Sequence, residues 1–319
     1  MKTRKLITTA AAALAFAALN AAPIGMDTVY VGDPGNPVDV GAANMYGSVD
    51  YGYYIGTYEV TNAQYVAFLN SVASVSDPYG LYNPNMSSSS YAGILRSGSE
   101  GNYVYSVKEG AANNPVNCVS FWDAARFCNW LTTGDTETGV YMLNGVAAPE
   151  NSLIVRNEEA WQAGGVALPS QDEWYKAAFY NPETKGYYKY ATSGNTIGPD
   201  DANYGNNIGR VTEVGAYDAA SAYGAYDMSG NLWEWNDTIF NADNGRPNYR
   251  GYRGGCFNSA AGYLDSQDRR SYYSPTYEVT TLGFRVASLA PIVIPESSVC
   301  GAFFGVAVLG FAAWRAKGA

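Results

Sequence analysis

The chain has 319 residues, of which 19 are Lys or Arg and 29 are Asp or Glu, so its formal net charge is −10. A surface of this sign repels polyanions, which argues against nucleic acid as a partner. The sequence contains no histidine. This excludes Ser-His-Asp and Cys-His nucleophilic sites, histidine zinc sites and the two-histidine facial triad of non-haem iron.

The first segment of the chain is typical of a secretory signal peptide. Lys2, Arg4 and Lys5 precede an apolar run of Ala, Leu and Phe that ends in small residues near Ala22. A basic start, a short apolar run and an alanine-rich exit are the parts of such a signal. We therefore predict that residues 1–22 are a signal peptide and that the protein is exported. The alternative interpretation is a short buried helix.

The segment EVTNAQYVAFLN predicts the first helix of the folded part. Thr61 can cap it and Gln64 occupies the third helical position, which together form a capping box. Val60 and Tyr65 are placed as the hydrophobic staple beside the cap. Helical spacing then continues along an apolar face. That face consists of Tyr65, Phe68 and Leu69.

Two further helices are predicted by the same chemistry. In NPVNCVSFWDAARFCNWL, Ser120 caps the helix, Asp123 follows three residues later, and the helix should end at Gly134. In ALPSQDEWYKAAFYN, Ser170 and Glu173 form a second capping box. We interpret all three helices as ordinary core helices. The predicted buried faces of these two are Trp122, Ala125, Phe127 and Trp130, and Trp174, Ala177 and Ala178.

Short extended segments and long loops surround the helices. GSVDYGYYIGTYEV is rich in Tyr and Val and predicts a strand, and LGFRVAS predicts a closing strand with Gly283 at its entry. Residues 74–106 and 181–215 are dense in Ser, Gly, Asn and Tyr and predict two loops. Loops of this length in a compact domain are functional or mobile.

Three cysteines are available to the folded part, because the fourth, Cys300, lies in an apolar C-terminal segment. Cys118 and Cys128 could form a disulfide in an exported protein. If a helix begins at Ser120, however, Cys128 lies about 12 Å along it, further than a disulfide reaches. We therefore favour three buried free thiols, the third being Cys256.

The last segment of the chain can span a bilayer thinly. Residues 299–314 carry no charge, and Arg315 and Lys317 follow directly. At about 1.5 Å per helical residue this run covers roughly 24 Å, a little less than a full hydrocarbon core. The two cations would lie on the cytoplasmic side. One interpretation is therefore a permanent single-span anchor in the inner membrane.

The interpretation of the tail that we favour, over residues 291–319, comes from a resemblance. Pro295 and Glu296 before an apolar segment and a basic end are similar to the PEP-CTERM sorting tail of Gram-negative bacterial surface proteins. Ser297 stands where a second proline is usual. By that resemblance the tail is a temporary anchor that an exosortase recognises and cuts. The protein would then reach the cell surface or the extracellular matrix.

Six segments of the chain, taken in order, resemble the sulfatase-modifying-factor domain, the family of the formylglycine-generating enzyme. They are YEVTNAQYVAFLN, NPVNCVSFWDAARFCNWL, ALPSQDEWYKAAFY, YGAYDMSGNLWEWND, YRGGCFNS and LGFRVAS, and the resemblance extends from about Tyr30 to Ser288. We therefore predict one such domain over residues 27–289. The resemblance implies a compact α+β fold, related to C-type-lectin-like domains and poor in regular secondary structure. Three short helices among long loops agree with it.

The resemblance also implies where catalysis would occur. In the oxidase of this family, two cysteines five residues apart bind Cu(I), a soft ion that suits thiolates, and oxygen then converts a substrate cysteine to formylglycine. Counted from Gly254 and Gly255, these thiols fall at Ser259 and Leu264, neither of which is cysteine. Cys256 stands where the family often has serine. We therefore expect no copper pair. The branch of the family that binds iron through histidines is excluded by the absence of histidine.

The turn SGNLWEW matches a segment in which the family holds a structural Ca²⁺. By that resemblance the ligands are Asn231, the carbonyl of Leu232 and Glu234, and hard oxygen ligands suit calcium. The family's second calcium loop is shortened after DANYGN, which leaves Asn203 without its downstream aspartate. The alternative for Asn231 and Glu234 is a capped turn that holds no ion.

Other residues near these segments have structural and binding interpretations. We expect Trp233 and Trp235 to be core residues, and Arg285 to brace the domain through carboxylates or carbonyls. By the family resemblance, the loop after Cys256 faces the substrate cleft of the oxidase. Its charged residues could bind a peptide or a sugar, or could form a solvated loop. They are Asp265, Asp268, Arg269 and Arg270.

Three functions follow from these observations. The one we favour is an exported, surface-displayed domain that has lost the oxidase activity. It would bind a peptide, a glycan or a matrix component through the cleft that holds the substrate in the oxidase. The second is formylglycine generation or a related oxidation, with Cys256 as a lone metal ligand beside Ser259. The third is a purely structural component of the extracellular matrix, which the sequence does not separate from the first.

Overall fold

The computed structural model describes most of the chain between its two ends. The described residues are 25–41, 46–146, 153–242, 246–268 and 272–292. The predicted signal peptide, the apolar run 299–314, and Arg269 and Arg270 lie outside these ranges. No helix within them is long and apolar enough to cross a membrane.

Five α-helices lie in the described part of the chain. They are α1 (Asn62–Val72), α2 (Asn85–Ser88), α3 (Phe121–Thr133), α4 (Glu158–Gln162) and α5 (Gln171–Phe179). The three predicted caps are confirmed. Thr61, Ser120 and Ser170 each accept a hydrogen bond from the third helical N–H, and the side chain of that third residue bonds back to the cap. Helix α3 is followed by Gly134 in the left-handed conformation, as predicted.

The hydrophobic core surrounds α3, which is buried along most of its length. The ring of Phe127 lies 6.0 Å from that of Tyr65 and 5.4 Å from that of Phe68, measured between centroids. Trp130 and Phe284 approach the same ring at 5.7 and 5.4 Å. Buried aromatic clusters of this kind contribute both area burial and ring–ring attraction. The predicted apolar faces of the three helices are therefore confirmed as core.

Two four-stranded sheets carry most of the remaining regular structure. The first has the order β1 (Thr28–Val31), β2 (Tyr53–Gly56), β12 (Ala287–Ser288), β5 (Val166–Ala167), with antiparallel pairs. The second has the order β10 (Tyr272–Tyr273), β9 (Arg246–Arg253), β8 (Trp233–Ala242), β11 (Leu282–Phe284), in which β11 is parallel to β8. This second sheet positions the site described below, because β8 begins in SGNLWEW and β9 leads into RGGCFNS.

The prediction of a loop over residues 74–106 is wrong in part. This segment holds α2 and two strands, β3 (Ile94–Ser99) and β4 (Asn102–Val107), which pair as an antiparallel hairpin. Strand β3 is buried only at Ile94, so its sequence lacks the apolar alternation by which a half-buried strand is recognised. The second predicted loop, over residues 181–215, is irregular apart from β7 (Gly186–Tyr187), which pairs with β6 (Tyr180–Asn181).

The closing segment LGFRVAS divides between the two sheets, whereas the sequence predicted one strand. Arg285 lies between β11 and β12 along the chain and is fully buried. Its guanidinium donates to both carboxylate oxygens of Glu234, at 2.6 and 2.7 Å. It also donates to the carbonyls of Gly56 and Tyr226. The predicted bracing role of Arg285 is confirmed.

The three cysteines in the described residues are free and buried. Cys128 lies on α3 within the core, where burial raises the pKa of its thiol well above the usual range. Burial also raises the pKa of Cys118, to about 12. Because neither thiol is oxidised, the interpretation as buried free thiols is confirmed.

Candidate functional site

The segment RGGCFNS, residues 253–259, forms a tight loop against the turn SGNLW, and we call it the cysteine loop. Gly254 and Gly255 have φ angles of +100° and +76°, a conformation that glycine adopts without steric cost. The carbonyl of Gly254 accepts from the N–H of Gly230 at 2.8 Å. The N–H of Phe257 donates to the carbonyl of Asn231 at 2.9 Å. The two segments singled out by the family resemblance are therefore in direct contact.

The thiol of Cys256 is enclosed by its own loop. The Cys256 N–H donates to the Ser259 Oγ at 3.0 Å, and the Cys256 Sγ lies 3.2 Å from the same oxygen. The thiol also donates to the Asn258 Oδ1 at 3.1 Å. Cys256 is 2% exposed and Ser259 is 8% exposed. The thiol and the hydroxyl thus bond to each other inside the loop.

The electrostatic environment of Cys256 favours the neutral thiol. Burial raises its pKa, although hydrogen bonds to the sulfur from Ser259, Asn258 and Trp233 act in the opposite direction. The thiolate, not the thiol, is the form that attacks substrates and binds soft metals. A raised pKa therefore disfavours both roles at neutral pH.

Leu264, where the family resemblance places the second thiol, is part of the core. Leu264 is 1% exposed, and a Cβ added to Gly255 would lie 2.5 Å from the Leu264 Cδ1. The leucine side chain therefore packs directly on the Gly-Gly backbone. No three Cys, Asp or Glu side chains of the described residues are grouped so that they could hold a metal ion. The residues present do not fit a copper ion held by two thiolates.

The amide of Asn231, a predicted calcium ligand, is fully engaged by protein groups. Its Oδ1 accepts from the N–H of Thr212 at 3.0 Å and from the Nδ2 of Asn203 at 3.2 Å. Its Nδ2 donates to the Glu59 Oε1 at 3.2 Å. Both asparagines are buried. This network holds the loop that contains Asn203 against the start of β8.

Glu234, the charged residue of the predicted calcium set, faces a protein cation. Arg285 donates to both of its oxygens, and the Trp174 Nε1 donates to its Oε2 at 2.8 Å. All three side chains are fully buried. Breaking a buried ion pair to free one partner is costly. A calcium ion at Glu234 would therefore have to displace Arg285, and the calcium site expected from the sequence is left to experiment.

Two of the four charged residues predicted to line a ligand cleft, Asp265 and Asp268, lie in the described part of the chain, and both contact other protein groups. The Asp265 Oδ2 lies 3.4 Å from the Lys189 Nζ, and its Oδ1 accepts from the N–H of Gln267. Asp268 is 8% exposed, and its carbonyl accepts from the buried guanidinium of Arg253. The two arginines that follow lie outside the described residues. The two aspartates therefore support the loop, and only Asp265 is partly open to solvent.

A row of aromatic rings adjoins the cysteine loop. Trp233, whose indole reaches the buried sulfur, meets Tyr263 and Tyr252 edge-on at centroid distances of 6.1 and 5.0 Å. Tyr252 stacks on Tyr273 at 5.2 Å, and Tyr273 stacks on Tyr277 at 4.3 Å. Tyr263, Tyr273 and Tyr277 are 37%, 41% and 38% exposed. We call these five residues the aromatic row.

Strand pairing explains why the row begins at Trp233. Trp233 and Trp235 are two residues apart on β8 and therefore face the same side of the sheet. Trp235 pairs with Tyr252 on β9, is fully buried and donates to the carbonyl of Val119. Trp233 is only partly buried and packs at the edge of the core. The prediction of a core residue is confirmed for Trp235, whereas Trp233 also borders an open surface.

The sequence analysis missed the aromatic row. Its members come from β8, β9, a short 3-10 helix (Ala261–Tyr263) and the segment that begins with β10, so no single periodicity contains them. The available signal was compositional: YRGYR and SYYSPTY are dense in tyrosine. Exposed tyrosines grouped beside a predicted cleft are typical of recognition surfaces.

A cavity of about 550 Å³ lies next to the cysteine loop, because Tyr91, which lines it, stacks on Phe257 of the loop. The ring of Tyr91 stacks on that of Phe257 at 5.5 Å, is 41% exposed and lines the cavity. Lys108, Arg210 and Glu213 add charges of both signs to the lining. The volume is in the range of small-ligand sites. The buried thiol of Cys256 thus has two accessible neighbours. One is the aromatic row, and the other is the cavity on the far side of Phe257.

Mixed sheets, short helices and long irregular segments define a compact α+β fold of the kind that the sequence predicted. The sulfatase-modifying factor enzyme 1-like domain model matches residues 32–290. The chain belongs to this family, which confirms the resemblance found in the sequence. The prediction of a sorting tail lies outside the matched residues and stays a prediction.

Curated relatives match parts of the chain. The hercynine oxygenase of Mycobacterium tuberculosis is 37% identical over 112 residues, which are 33% of this chain and 26% of that protein. The hercynine oxygenase of Mycolicibacterium smegmatis is 36% identical over 89 residues. The serine/threonine-protein kinase Pkn1 of Chlamydia trachomatis is 27% identical over 250 residues, 74% of this chain and 33% of that protein. The matched part thus spans about a fifth to a third of the length of these relatives.

Two solved structures share the fold. The crystal structure of CarF has a TM-score of 0.57 and 23% identity, and the match covers 83% of this chain and 98% of CarF. Variable protein 1 of Treponema denticola has a TM-score of 0.56 and 22% identity, with 82% and 95% covered. At this identity the likeness shows the fold alone, and it confirms the predicted fold class.

Proposed function

We propose that this protein is a non-oxidising binding module of its family, which takes a peptide, a glycan or a matrix component at the aromatic row. The main observation in favour of the proposal is the difference between the groups on the two sides of Trp233. On one side of this residue lies a buried thiol that is capped by Ser259 and has no second thiol at Leu264. On the other side lie tyrosines that are more than a third exposed.

The chemistry of the row narrows the class of ligand. Tyrosine offers a flat apolar ring and a hydroxyl group at a low cost in side-chain entropy, which suits both sugars and peptides. The rings of Tyr252, Tyr273 and Tyr277 are already ordered by stacking on each other, so little further ordering is needed on binding. The net charge of −10 opposes polyanionic ligands. We therefore expect a neutral or basic partner.

The proposed location agrees with this role. Residues 1–22 would direct export, and residues 291–319 would hold the protein in the inner membrane until an exosortase-type enzyme cuts the tail. A protein displayed at the surface of a Gram-negative cell meets peptides, glycans and matrix polymers. Mass spectrometry of the mature protein tests this point, because a chain that keeps both ends would contradict it.

The second candidate function is an altered oxidase that forms formylglycine with Cys256 as a lone metal ligand. Family membership favours it, as does the position of the Cys256 sulfur next to Trp233, which forms part of the row. A peptide on the row would then lie close to the thiol. Against it stand the raised pKa of this thiol and the leucine at the second position.

Arrays of glycans and peptides, probed with the full chain, test the binding function. Tyr273→Ala should lower the affinity for any ligand found by about tenfold, since removing a central aromatic contact typically costs more than about 1 kcal/mol. Tyr30→Ala is the matched control, because Tyr30 is 55% exposed on β1 and does not belong to the row. Absence of binding to every class would leave only a structural role, and an equal loss in both variants would show that the ligand does not bind at the aromatic row.

A further inference from the structure

A second cavity, of about 350 Å³, lies beside the start of α1, and we call it the acidic cavity. Its lining includes Met26, Asp27, Tyr58, Glu59, Glu213 and Val214. No member of the aromatic row lines it. Its volume is at the lower end of the range for small-molecule sites. The cavity is therefore large enough for a compact ligand and is separate from the aromatic row, although Glu213 also lines the cavity of about 550 Å³.

The charge of the lining has one sign. Three of its residues are acidic, and no Lys or Arg of the described part of the chain lines it. Asp27 and Glu213 are exposed at the surface, whereas Glu59 is 1% exposed. Carboxylates of one sign around a concave wall concentrate the electrostatic field and attract cations.

Glu59 carries an oxygen that lacks a partner. Its Oε1 accepts from the Asn231 Nδ2, but its Oε2 is buried and has no hydrogen-bond partner among the described residues. A buried polar oxygen without a donor is costly. Arg285, the nearby buried cation, donates its N–H groups to Glu234 and to backbone carbonyls. The Glu59 Oε2 therefore lacks a donor within the described residues, on a residue that lines the acidic cavity.

The rest of the lining is apolar and aromatic. Met26 is buried, and the ring of Tyr58 is held in place by stacking on Tyr226 at 5.4 Å. Val214 completes this wall. Methylene groups pack well on such a surface, and an ammonium group near a tyrosine ring gains cation–π attraction.

A metal ion does not suit the cavity, because no set of three Cys, Asp or Glu side chains in the described ranges is grouped for coordination. Carboxylates that are spread over a cavity can instead contact different parts of one organic molecule. We propose that the acidic cavity binds a small organic cation whose alkylammonium group donates to the Glu59 Oε2 and whose alkyl chain lies against Tyr58 and Met26. This site does not depend on the proposed function of the aromatic row.

Isothermal titration calorimetry of the full chain with 1,5-diaminopentane tests the site. The expected result is saturable binding that Glu59→Gln weakens at least about tenfold, since it replaces the carboxyl oxygen that would accept from the ammonium group with an amide of the same shape. Glu213→Gln at the exposed rim should weaken binding by less, and the loss should shrink as salt is added. Thermal unfolding of each variant shows whether it has folded.

Two comparisons distinguish the sources of an alkylammonium group. Tighter binding of an acetylated and amidated lysine than of the free diamine would identify a lysine side chain of a peptide as the ligand. The reverse order would identify a free amine. Both outcomes support an ammonium site at Glu59.

Three results would overturn the proposal: undiminished binding by folded Glu59→Gln, equal binding of 1-pentanol, or no binding of either amine. Tyr273→Ala serves as the matched control and should bind the diamine as the unmodified chain does. Loss of row ligands in that variant with retained diamine binding separates the two sites. Failure of one proposal therefore leaves the other open to test.

Discussion

The cysteine loop and the aromatic row meet at Trp233, yet they differ in every property that matters for chemistry. In the loop, a thiol and a hydroxyl are buried and bonded to each other. In the row, the stacked rings of Tyr273 and Tyr277 carry hydroxyl groups and are more than a third exposed. The thiol of the loop is therefore enclosed, and the neighbouring surface is open. This difference is the basis of our proposal that the chain binds a ligand at the row and does not oxidise it.

The largest effect, on the free energy of unfolding, is expected from breaking the buried ion pair between Arg285 and Glu234. Arg285→Met leaves the Glu234 carboxylate buried without its cation, and we expect the free energy of unfolding to fall by about 3–5 kcal/mol. Urea unfolding followed by tryptophan fluorescence measures it. The double variant Arg285→Met with Glu234→Gln should recover part of the loss. A single variant as stable as the unmodified chain would show that this ion pair does not hold the two regions together.

The closed state of the cysteine loop predicts a slow reaction of its thiol. Since Cys256 is buried and its pKa is raised, iodoacetamide should modify it at least about a hundredfold more slowly than free cysteine at neutral pH. Mass spectrometry of the peptide that contains Cys256 gives the rate. Cys118 and Cys128 are internal controls, and all three should react quickly in urea. Fast modification of Cys256 alone would mean that the loop opens in solution.

Because the row is exposed, substitutions in it should lower the affinity for a ligand without lowering the stability of the fold. Tyr277→Ala should weaken a row ligand by less than the roughly tenfold expected of Tyr273→Ala, because Tyr277 lies at the end of the stack. Its melting temperature should stay near that of the unmodified chain, since the side chain is 38% exposed. A large loss of stability would place the row in the core and remove the contrast with the loop.

The smallest effect is expected from calcium. Because Glu234 is paired with Arg285, adding calcium or removing it with a chelator should leave the melting temperature unchanged. Differential scanning calorimetry measures this, with Asn231→Ala as the variant that would lose a calcium response if there is one. A calcium-dependent rise that disappears in Asn231→Ala would show that the predicted site forms by displacing the arginine.

The features that the sequence predicted well are local. The three helix caps depend on residues three positions apart, such as Thr61 and Gln64, and each formed as predicted. The core faces of the helices follow from spacing within one turn. The family and the fold class follow from six segments whose order is visible in the chain.

The features that were missed depend on distant residues or on exposure. Glu234 and Arg285 are 51 residues apart in the sequence. The ion pair that they form therefore cannot be predicted from the turn that contains Glu234. The hairpin of β3 and β4 is mostly exposed and carries no apolar alternation. The aromatic row is assembled from several elements, which the tertiary fold alone brings together.

The measurement that tests the central claim most directly is mass spectrometry of a cysteine-containing peptide incubated with the full chain, copper and oxygen. Cys256→Ala and a family member with both thiols serve as the negative and positive controls. We predict no formylglycine with this chain and none with the variant. Formylglycine that forms with the chain and disappears in Cys256→Ala would contradict the claim, and would show that one thiol beside Ser259 is enough for oxidation.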